Sequence, residues 1–319
     1  MGDSSSGSFD FSSQEKIYAR AIHKRRWVEF LIEKLLLLAG GVAVVFVVLI
    51  FAYIVYESIP FFLQVNPLDF FFGSVWRPES PTNPQYGLLP ALWGTSFLTI
   101  MALAIAVPVG VLSAMYISQV AGKREREFLK PMIEILAGIP SVVYGFFALV
   151  VLASTVSFLF GEAVVTRLNA LNGAIILAVM ALPTIISISE DSLTAVPRDY
   201  KEAALALGSS DWETLKKVTL PTAKPGIITA ILLGFGRAIG ETMAVLMATG
   251  NSPLLAFNPL QSILAMTALI ARDFGEVAVG TVWYHSIFAV ALILLVITIL
   301  VNWVANSLVS KKIGWRIRR

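Results

Sequence analysis

The chain has 319 residues, of which 57% are hydrophobic and only 14% are charged, with a formal net charge of +3. A soluble domain with this balance could not cover its apolar surface with polar groups, so the composition excludes an ordinary soluble protein and favours a membrane protein. The chain has no cysteine, which excludes both a disulfide framework and a cysteine metal site.

Six apolar runs are each long enough to cross a bilayer, which takes about 20 residues. These runs predict an all-α integral membrane protein with six transmembrane helices. They lie near Leu35–Tyr56, Leu92–Tyr116, Pro131–Ala153, Ala174–Ser189, Ile227–Thr249 and Tyr284–Leu308.

Basic residues predict the orientation of these helices, because cytoplasmic loops of membrane proteins are enriched in Lys and Arg. Twenty basic residues lie before the first run, after the sixth, and in the loops after the second and fourth runs, against three in the remaining loops. The three are Arg77, Arg167 and Arg272. Both termini and the segment 190–224 are therefore predicted to be cytoplasmic.

The segment between the first two runs is predicted to be external and irregular. Six prolines between residues 60 and 90 oppose a continuous helix and favour turns and extended chain. Its aromatic residues are expected at the membrane interface, with docking of an external partner as a compatible role. They are Phe61, Phe62, Phe70, Phe71, Phe72 and Trp76.

The segment 190–224 carries a helical pattern of its own. Residues 199–217 are rich in Ala, Leu, Glu and Lys, with a break at Gly208 and polar caps for a second helix at residues 209–211. Glu213 and Lys217 have the i, i+4 spacing of a favourable pair. Two short helices at an angle are therefore predicted.

This predicted hairpin is suited to docking against another protein. Small side chains at Ala203, Ala204 and Ala206 allow a close approach to the first helix. Leu220-Pro221 is predicted to end the hairpin and to turn the chain back into the fifth run. The alternative is a solvated loop that only joins two spans, but the segment is longer and more ordered than a plain connection needs.

Two opposite charges lie within the fifth apolar run. Arg237 is predicted about midway along this span, with Glu241 one turn later on the same face. A lone arginine there costs at least about 2.5–3.5 kcal/mol, so Arg237 must face protein, water or a counter-ion. Gly236 and Gly240 predict close packing against a neighbouring helix.

Two functions of this charged pair remain open. A structural Arg237–Glu241 salt bridge could lock the helices. Alternatively, Arg237 could bind an oxyanion on a substrate path, because the guanidinium group suits bidentate contact with oxyanions. Glu241 would then neutralise Arg237 in the empty path or accept a proton from the oxyanion.

The third run carries helix-breaking residues. Gly138, Pro140 and Gly145 are predicted to break or kink this span, and Ser141 and Tyr144 then offer hydroxyl groups at membrane depth. Both are candidate path residues, with packing as the alternative, and Pro140 is a candidate packing residue. Glu134 is expected either in the span or at the cytoplasmic interface.

No catalytic motif or metal-ligand cluster is found in the sequence. The two histidines, His23 and His285, have no neighbouring residues at a metal-ligand spacing, and the phosphate-binding pattern of ATPases is absent. The expectations are therefore no catalytic residue, no metal site and no ATP hydrolysis by this chain.

The segment between the fourth and fifth runs resembles the cytoplasmic coupling loop of ABC-importer permeases. The resemblance rests on the spacing of Glu202-Ala203-Ala204, Gly208 and Leu220-Pro221. It implies a type I ABC importer permease fold, in which the helix around residues 202–208 inserts into a groove of a separate ATPase. Val218 departs slightly from the pattern, where Ile is commoner.

Three further stretches resemble phosphate-specific permeases of the PstC type. They are Gly236-Arg237-Ala238-Ile239-Gly240-Glu241-Thr242-Met243-Ala244-Val245, Ile139-Pro140-Ser141-Val142-Val143-Tyr144-Gly145, and Tyr86-Gly87-Leu88-Leu89-Pro90 with Gly94-Thr95. The resemblance covers about residues 70–310. It implies that Arg237 and Glu241 lie on the path of phosphate.

The same resemblance implies partners, location and organisation. The partners would be a homologous permease of the PstA type, two nucleotide-binding subunits that hold ATP and Mg²⁺, an external phosphate-binding protein, phosphate and membrane lipid, without nucleic acid. The chain itself would hold no cofactor and would lie in the bacterial inner membrane. The implied organisation is a cytoplasmic tail (1–34), a first transmembrane helix (35–58), an external segment (59–91), a transport core (92–310) with its coupling loop (190–224), and a basic tail (311–319).

Three alternatives remain open on the residues alone. The cargo could be another oxyanion, such as sulfate or molybdate, because Arg237 alone does not distinguish them. A membrane-embedded enzyme would need a nucleophile or metal site, which is not visible. A sensor without transport is less consistent with the coupling hairpin.

Overall fold

A computed structural model describes the backbone of residues 11–314 and the side chains of residues 29–303 and of Ser307. The chain divides into two compact units, Met1–Tyr56 and Glu57–Arg319. The first ten and last five residues, which belong to the two predicted tails, lie outside the described part. Helix α1, Phe11–Gln64, already includes residues 11–34, which the sequence predicted as part of the tail.

The first unit consists, in its described part, of one helix, which is apolar from Leu35 onward. Its side chains from Leu35 to Phe51 are largely exposed, and a Cβ atom added at Gly40 or Gly41 would meet nothing within 4 Å. Such a surface is compatible with lipid, where apolar side chains need no protein partner. The predicted first span, Leu35–Tyr56, lies within this helix.

The second unit contains the end of α1 and twelve further α-helices among its described residues, with one β-hairpin. The hairpin strands are β1 (Trp76–Arg77) and β2 (Gln85–Tyr86). The helices are α2 (Pro67–Phe72), α3 (Leu89–Met115), α4 (Lys123–Gly138), α5 (Ser141–Phe147), α6 (Ala153–Phe160), α7 (Ala170–Thr194), α8 (Arg198–Ala206), α9 (Asp211–Thr214), α10 (Leu220–Gly240), α11 (Met243–Ala248), α12 (Met266–Phe274) and α13 (Val282–Gly314). Wider π-helical turns occupy Tyr116–Val120, Ala148–Leu152 and Leu215–Thr219.

Six helical stretches in the described residues are long and apolar enough to cross a membrane. They are Glu29–Gln64, Leu89–Val120, Ser141–Ala163, Ala170–Thr194, Asp211–Gly240 and Val282–Trp303. The predicted number of six is confirmed. The third stretch begins later than predicted, at Ser141 instead of Pro131, because the chain breaks at Ile139-Pro140.

Helix α7 lies at the centre of the second unit, between α3 and α10. Ile185 of α7 fills the space above two glycines, since a Cβ atom at Gly110 of α3 or at Gly234 of α10 would come within 2.7 Å of its side chain. Alanines line the same contacts at positions 102, 106, 178 and 181. Small residues let helix backbones approach closely, and this is how apolar helices associate without a hydrophobic driving force.

The chain before α12 crosses α3 in close backbone contact. A Cβ atom at Gly94 of α3 would lie 1.9 Å from the Leu264 carbonyl oxygen, so only glycine fits at this position. The next residue, Thr95, accepts a hydrogen bond at its Oγ1 atom from the Met266 backbone N–H at 2.9 Å. Gly94 and Thr95 together therefore fix the start of α12 against α3.

The predicted interfacial location of the aromatic residues in the external segment is partly wrong. Phe61, Phe70 and Trp76 are at most 1% exposed and belong to a buried cluster. Phe61 and Phe70 meet edge to face, with ring centroids 5.0 Å apart. Phe71 and Phe72 do remain exposed. The β-hairpin and α2 create the interior that buries the other rings, and apolar composition alone did not reveal it.

A buried carboxylate ties the β-hairpin to the last two helices. Asp273 at the end of α12 accepts hydrogen bonds from the indole N–H of Trp76 at 2.8 Å and of Trp283 at 3.3 Å. The adjacent Arg272 donates to the other carboxylate oxygen at 2.7 Å. These donors compensate the cost of burying the charge. This cluster therefore holds β1, α12 and α13 together.

Candidate functional site

Two spanning segments are broken at sites that carry predicted path residues. Between α4 and α5, Ile139 and Pro140 are extended, because the proline ring disfavours a helical conformation in the residue before it. Between α10 and α11, Glu241 is extended, with φ −71° and ψ 131°. Pro140 is exposed at the first break. The predicted break in the third run is confirmed, and the second break was not predicted.

The helices that follow the two breaks pack against each other. A Cβ atom at Gly145 of α5 would lie 2.9 Å from the Met247 sulfur and 3.1 Å from the Ala244 Cα atom of α11. Gly145 and Ala244 each lie about one turn after their break. The two breaks are therefore side by side inside the second unit.

Replacing Gly145 by Ala should separate α5 from α11. The added methyl group meets backbone atoms that cannot rotate away, so we expect the free energy of unfolding to fall by about 1–2 kcal/mol. Thermal unfolding in detergent checks this. Gly138→Ala is the control, because a Cβ atom there meets nothing within 4 Å. Equal stability of the two variants would contradict the close contact.

The structure places Arg237, Ser141 and Tyr144 next to the two breaks. Arg237 lies in the last turn of α10, about one turn before the break at Glu241, and is partly exposed. Ser141 is the partly exposed first residue of α5, and Tyr144 follows it within the first turn. The Tyr144 hydroxyl donates a hydrogen bond to the Leu136 carbonyl oxygen of α4 at 2.7 Å. Two hydroxyl-bearing residues and a cation thus lie within about one turn of the breaks.

The predicted geometry of Arg237 and Glu241 is wrong in two respects. The helix ends at Gly240, so Arg237 is near a helix end, and Glu241 does not continue its face. The two side chains form no ion pair in the structure. Instead, Glu241 Oε1 accepts the Ala244 N–H at 3.3 Å, and its carbonyl accepts the Thr267 hydroxyl at 2.7 Å. These bonds satisfy polar groups that the break exposes.

Arg237 is an unpaired cation in the part of the chain that the structure describes. We find there no hydrogen-bond acceptor and no carboxylate within bonding distance of its guanidinium group. Arginine inside a membrane protein carries a large energetic cost unless it faces a partner or water. Its five N–H donors are therefore available to an anion that reaches the break.

The glycines beside Arg237 do not pack against any other residue that the structure describes. A Cβ atom at Gly236 or Gly240 would meet nothing within 4 Å. The predicted close packing on a neighbouring helix of the same chain is therefore not found. Packing of these glycines on a second subunit stays a prediction.

The predicted helical hairpin is present between α7 and α10. Helix α8 ends at Ala206, and Gly208 takes the left-handed conformation with φ +86°. Ser210 caps α9 by accepting the Glu213 N–H, and Glu213 pairs with Lys217 at 2.9 Å. The break, the cap and the ion pair were all expected from local sequence signals.

The hairpin presents an apolar surface together with the motif residues. Glu202, Ala203 and Gly208 are exposed, whereas Ala204 is buried and its carbonyl accepts the Ser209 N–H. Large apolar side chains that are at least 43% exposed surround them. They are Tyr200, Leu205, Leu207 and Trp212. A surface of this kind on a polar hairpin is typical of a protein–protein contact.

The prediction that Leu220-Pro221 ends the hairpin with a turn is wrong. Both residues lie in the first turn of α10, and the chain is helical without interruption from Asp211 to Gly240. Proline is tolerated in a first turn, because its missing N–H would lack a helical partner there. The π-helical turn Leu215–Thr219 precedes this position and joins the hairpin to the span.

A buried charge cluster that the sequence did not predict lies near the hairpin. Glu190 of α7 is 1% exposed and forms ion pairs with Arg126 and with Lys130 of α4, the latter at 2.8 Å. Hydrogen bonds to Glu190 and Asp191 raise the pKa of Lys130 above its usual value. The sequence did carry a signal for this cluster. Glu190 lies at the end of an apolar run, and Arg126 and Lys130 have the i, i+4 spacing that puts both on one helix face.

A second contact joins α8 to the same region. Lys201 donates a hydrogen bond to the Gln119 side chain at 3.0 Å, and burial lowers the pKa of this lysine. The residues 119–130 and 190–201 therefore lie at one end of the second unit, which we call the basic end. In the described chain, no group of three or more His, Asp or Glu residues could hold a metal ion.

Comparison with known proteins places the chain in a family. Residues 106–313 match the model of the binding-protein-dependent transport system inner membrane component. A probable ABC transporter permease protein, YqgH of Bacillus subtilis (strain 168), is 36% identical over 248 residues, which cover 78% of this chain and 79% of the relative. The phosphate transport system permease protein PstC of Mesorhizobium japonicum is 32% identical over 249 residues, covering 73% and 76%.

The fold matches that of a solved ABC transporter chain. The crystal structure of a bacterial alginate ABC transporter, in complex with its pentasaccharide-bound periplasmic protein, contains a chain that aligns with a TM-score of 0.58 at 13% identity. The alignment covers 93% of this chain and 95% of that one. The chain therefore belongs to the family of binding-protein-dependent transport system inner membrane components, as a multi-pass ABC importer permease subunit that resembles the PstC type.

Proposed function

We propose that this chain is the permease subunit of an ATP-driven importer of inorganic phosphate. The observation that carries the proposal is the guanidinium of Arg237, unpaired among the described residues, next to a helix break that adjoins the break before Ser141 and Tyr144. Phosphate oxygens are acceptors of the charge and geometry that arginine binds best. The PstC relatives, which are named as phosphate transport permeases, support this cargo.

We place Arg237, Tyr144, Ser141 and Glu241 on or beside the substrate path. Arg237 supplies the positive charge and N–H donors, the Ser141 hydroxyl offers a neutral polar contact, and the Tyr144 hydroxyl, whose proton is donated to the Leu136 carbonyl, leaves its oxygen as an acceptor for a protonated phosphate. Glu241 holds the chain between α10 and α11 in its broken form, through bonds to Ala244 and Thr267. Irregular backbone at membrane depth is stable where it is buried in protein or lines a water-filled path.

The proposed orientation puts the basic end in the cytoplasm of a bacterial cell, at the inner membrane. The argument is the excess of Lys and Arg on this end, which retains loops on the cytoplasmic side. The exposed hairpin surface around Glu202 and Ala203 then faces the cytoplasm. We assign it as the contact with a separate ATPase, which would hold ATP and Mg²⁺.

The proposed mechanism is alternating access. Closure of two ATPase subunits on ATP would move the hairpins of this chain and of a homologous permease of the PstA type, and would open the path outward. Phosphate delivered by an external binding protein would then pass Arg237. Release of phosphate into the cytoplasm would follow hydrolysis of ATP on the partner.

Uptake into proteoliposomes tests the proposal. The chain is reconstituted with its co-purified partners, and entry of labelled phosphate is followed with and without ATP. We expect ATP-dependent uptake that unlabelled phosphate competes away and that excess sulfate or molybdate does not. Uptake of only sulfate or molybdate would show that the transported anion is not phosphate. ATP hydrolysis that moves none of the three anions would favour a sensing function.

A further inference from the structure

The buried carboxylate of Glu190 holds one end of α4. It accepts hydrogen bonds from Arg126, from Lys130 at 2.8 Å and from the Thr194 hydroxyl at 2.9 Å. Arg126 and Lys130 lie one turn apart on α4, so both cations converge on the same group. A carboxylate buried this deeply is stable only with such complete pairing.

Helix α4 has few other attachments. None of its side chains is fully buried, and only Leu129 and Ile133 pack against the nearby apolar cluster. Its far end is held by the hydrogen bond from the Tyr144 hydroxyl to the Leu136 carbonyl. At 1.5 Å per residue the helix is about 24 Å long. It therefore connects the Glu190 cluster to Tyr144 at the first break.

The Glu190 cluster is close to the exposed hairpin in sequence and in contacts. Glu190 lies in the last turns of α7, and α8 follows after a short connection. The Lys201–Gln119 hydrogen bond ties α8 to the π-helical turn that comes just before α4. Movement of α8 would therefore reach the Glu190 cluster along two routes, through the end of α7 and through the turn before α4.

We propose that Glu190 is a positioning residue for transport, which fixes α4 so that movement of the α8 hairpin reaches Tyr144 at the first of the two adjacent breaks. The connection runs through a buried ion pair, a stiff helix and one hydrogen bond. The proposal rests on the proposed function, because it assumes that α8 receives the movement of an ATPase. Arg126 and Lys130 share the same role as the partners of Glu190.

The test measures anion uptake per ATP hydrolysed in the complete reconstituted complex. For Glu190→Gln we expect this ratio to fall by about tenfold, a common size for coupling between distant sites, while ATP hydrolysis continues. Glu127→Gln is the matched control. It removes the same charge from an exposed position on α4, and we expect it to keep the wild-type ratio.

Two further variants keep the test decisive if Glu190→Gln does not fold. Arg126→Gln and Lys130→Gln each remove one half-exposed cation and leave the other on Glu190. We expect each variant to lower the uptake per ATP hydrolysed, but by less than Glu190→Gln does. A purely structural cluster would lower thermal stability without changing uptake per ATP, and this result would overturn the proposal.

The outcomes separate this inference from the proposed function. If wild type moves no phosphate, the proposed cargo is wrong, and the ratio is measured with the anion that wild type does carry. If wild type moves phosphate and the Glu190, Arg126 and Lys130 variants all keep its ratio, the function stands and the positioning role is wrong.

Discussion

Phosphate uptake should fall by about a hundredfold in Arg237→Gln, because loss of one member of a desolvated charge pair costs several kcal/mol. Glutamine keeps much of the side-chain length but has no charge and no guanidinium fork. Arg237 forms no bond that holds the fold among the described side chains. Folding and ATP hydrolysis by the reconstituted complex should therefore continue.

The control for Arg237→Gln is Arg77→Gln, which removes a positive charge from an exposed position on β1. This control should transport at the wild-type rate. The uptake rate of Arg237→Lys should lie between those of Arg237→Gln and Arg77→Gln, because lysine restores the charge without the bidentate geometry. Initial rates of labelled phosphate uptake, each divided by the amount of complex incorporated, give the comparison. Wild-type uptake by Arg237→Gln would mean that the charge lies outside the path.

Gly94→Ala should lower the free energy of unfolding by about 3 kcal/mol, at the upper end of the usual cost of overpacking. The added Cβ atom would overlap the Leu264 carbonyl oxygen, which lies 1.9 Å from its position. Relief requires movement of the backbone before α12. That movement would also strain the bond from Met266 to Thr95.

Thermal unfolding of the purified protein in detergent measures the effect of Gly94→Ala. Gly41→Ala is the matched control, because it adds the same methyl group within α1, where nothing lies within 4 Å. The control should be as stable as wild type or slightly more stable, since alanine favours the helix over glycine. Equal melting temperatures of the two variants would show that α3 and the chain before α12 are not in contact.

Local signals in the sequence were sufficient for the number of spans and for the two helices of the hairpin. Long apolar runs predict membrane helices, because the bilayer requires continuous burial of apolar side chains. Gly208 and Ser210 mark the end of one helix and the start of the next through their own conformational preferences. These features depend on residues that are neighbours in the chain.

The break at Glu241 depends on a distant contact and was not predicted. The stretch around it contains no proline, and apolar residues resume at Met243 after only two polar residues. Thr267 is 26 residues away and has no influence on the local conformational preference at Glu241. Its hydroxyl nevertheless donates to the Glu241 carbonyl and stabilises the extended conformation. A single sequence does not reveal that α12 returns to this point.

The Glu190 cluster was missed for a similar reason. Arg126 and Lys130 are 64 and 60 residues from Glu190 in the chain and meet it only when α4 packs against α7. From the sequence, Arg126 and Lys130 were expected to be solvated charges in a cytoplasmic loop. The structure shows that both are half-exposed and bound to a buried carboxylate.

The uninterrupted helix from Asp211 to Gly240 gives small rotations a large effect. At 1.5 Å per residue, Arg237 lies about 39 Å from Asp211 along the axis. A tilt of about 5° around the Asp211 end displaces the guanidinium by about 3 Å, which is the length of a hydrogen bond. An angular change that leaves the packing of the bundle almost intact is therefore sufficient to bring this cation to an anion or to withdraw it.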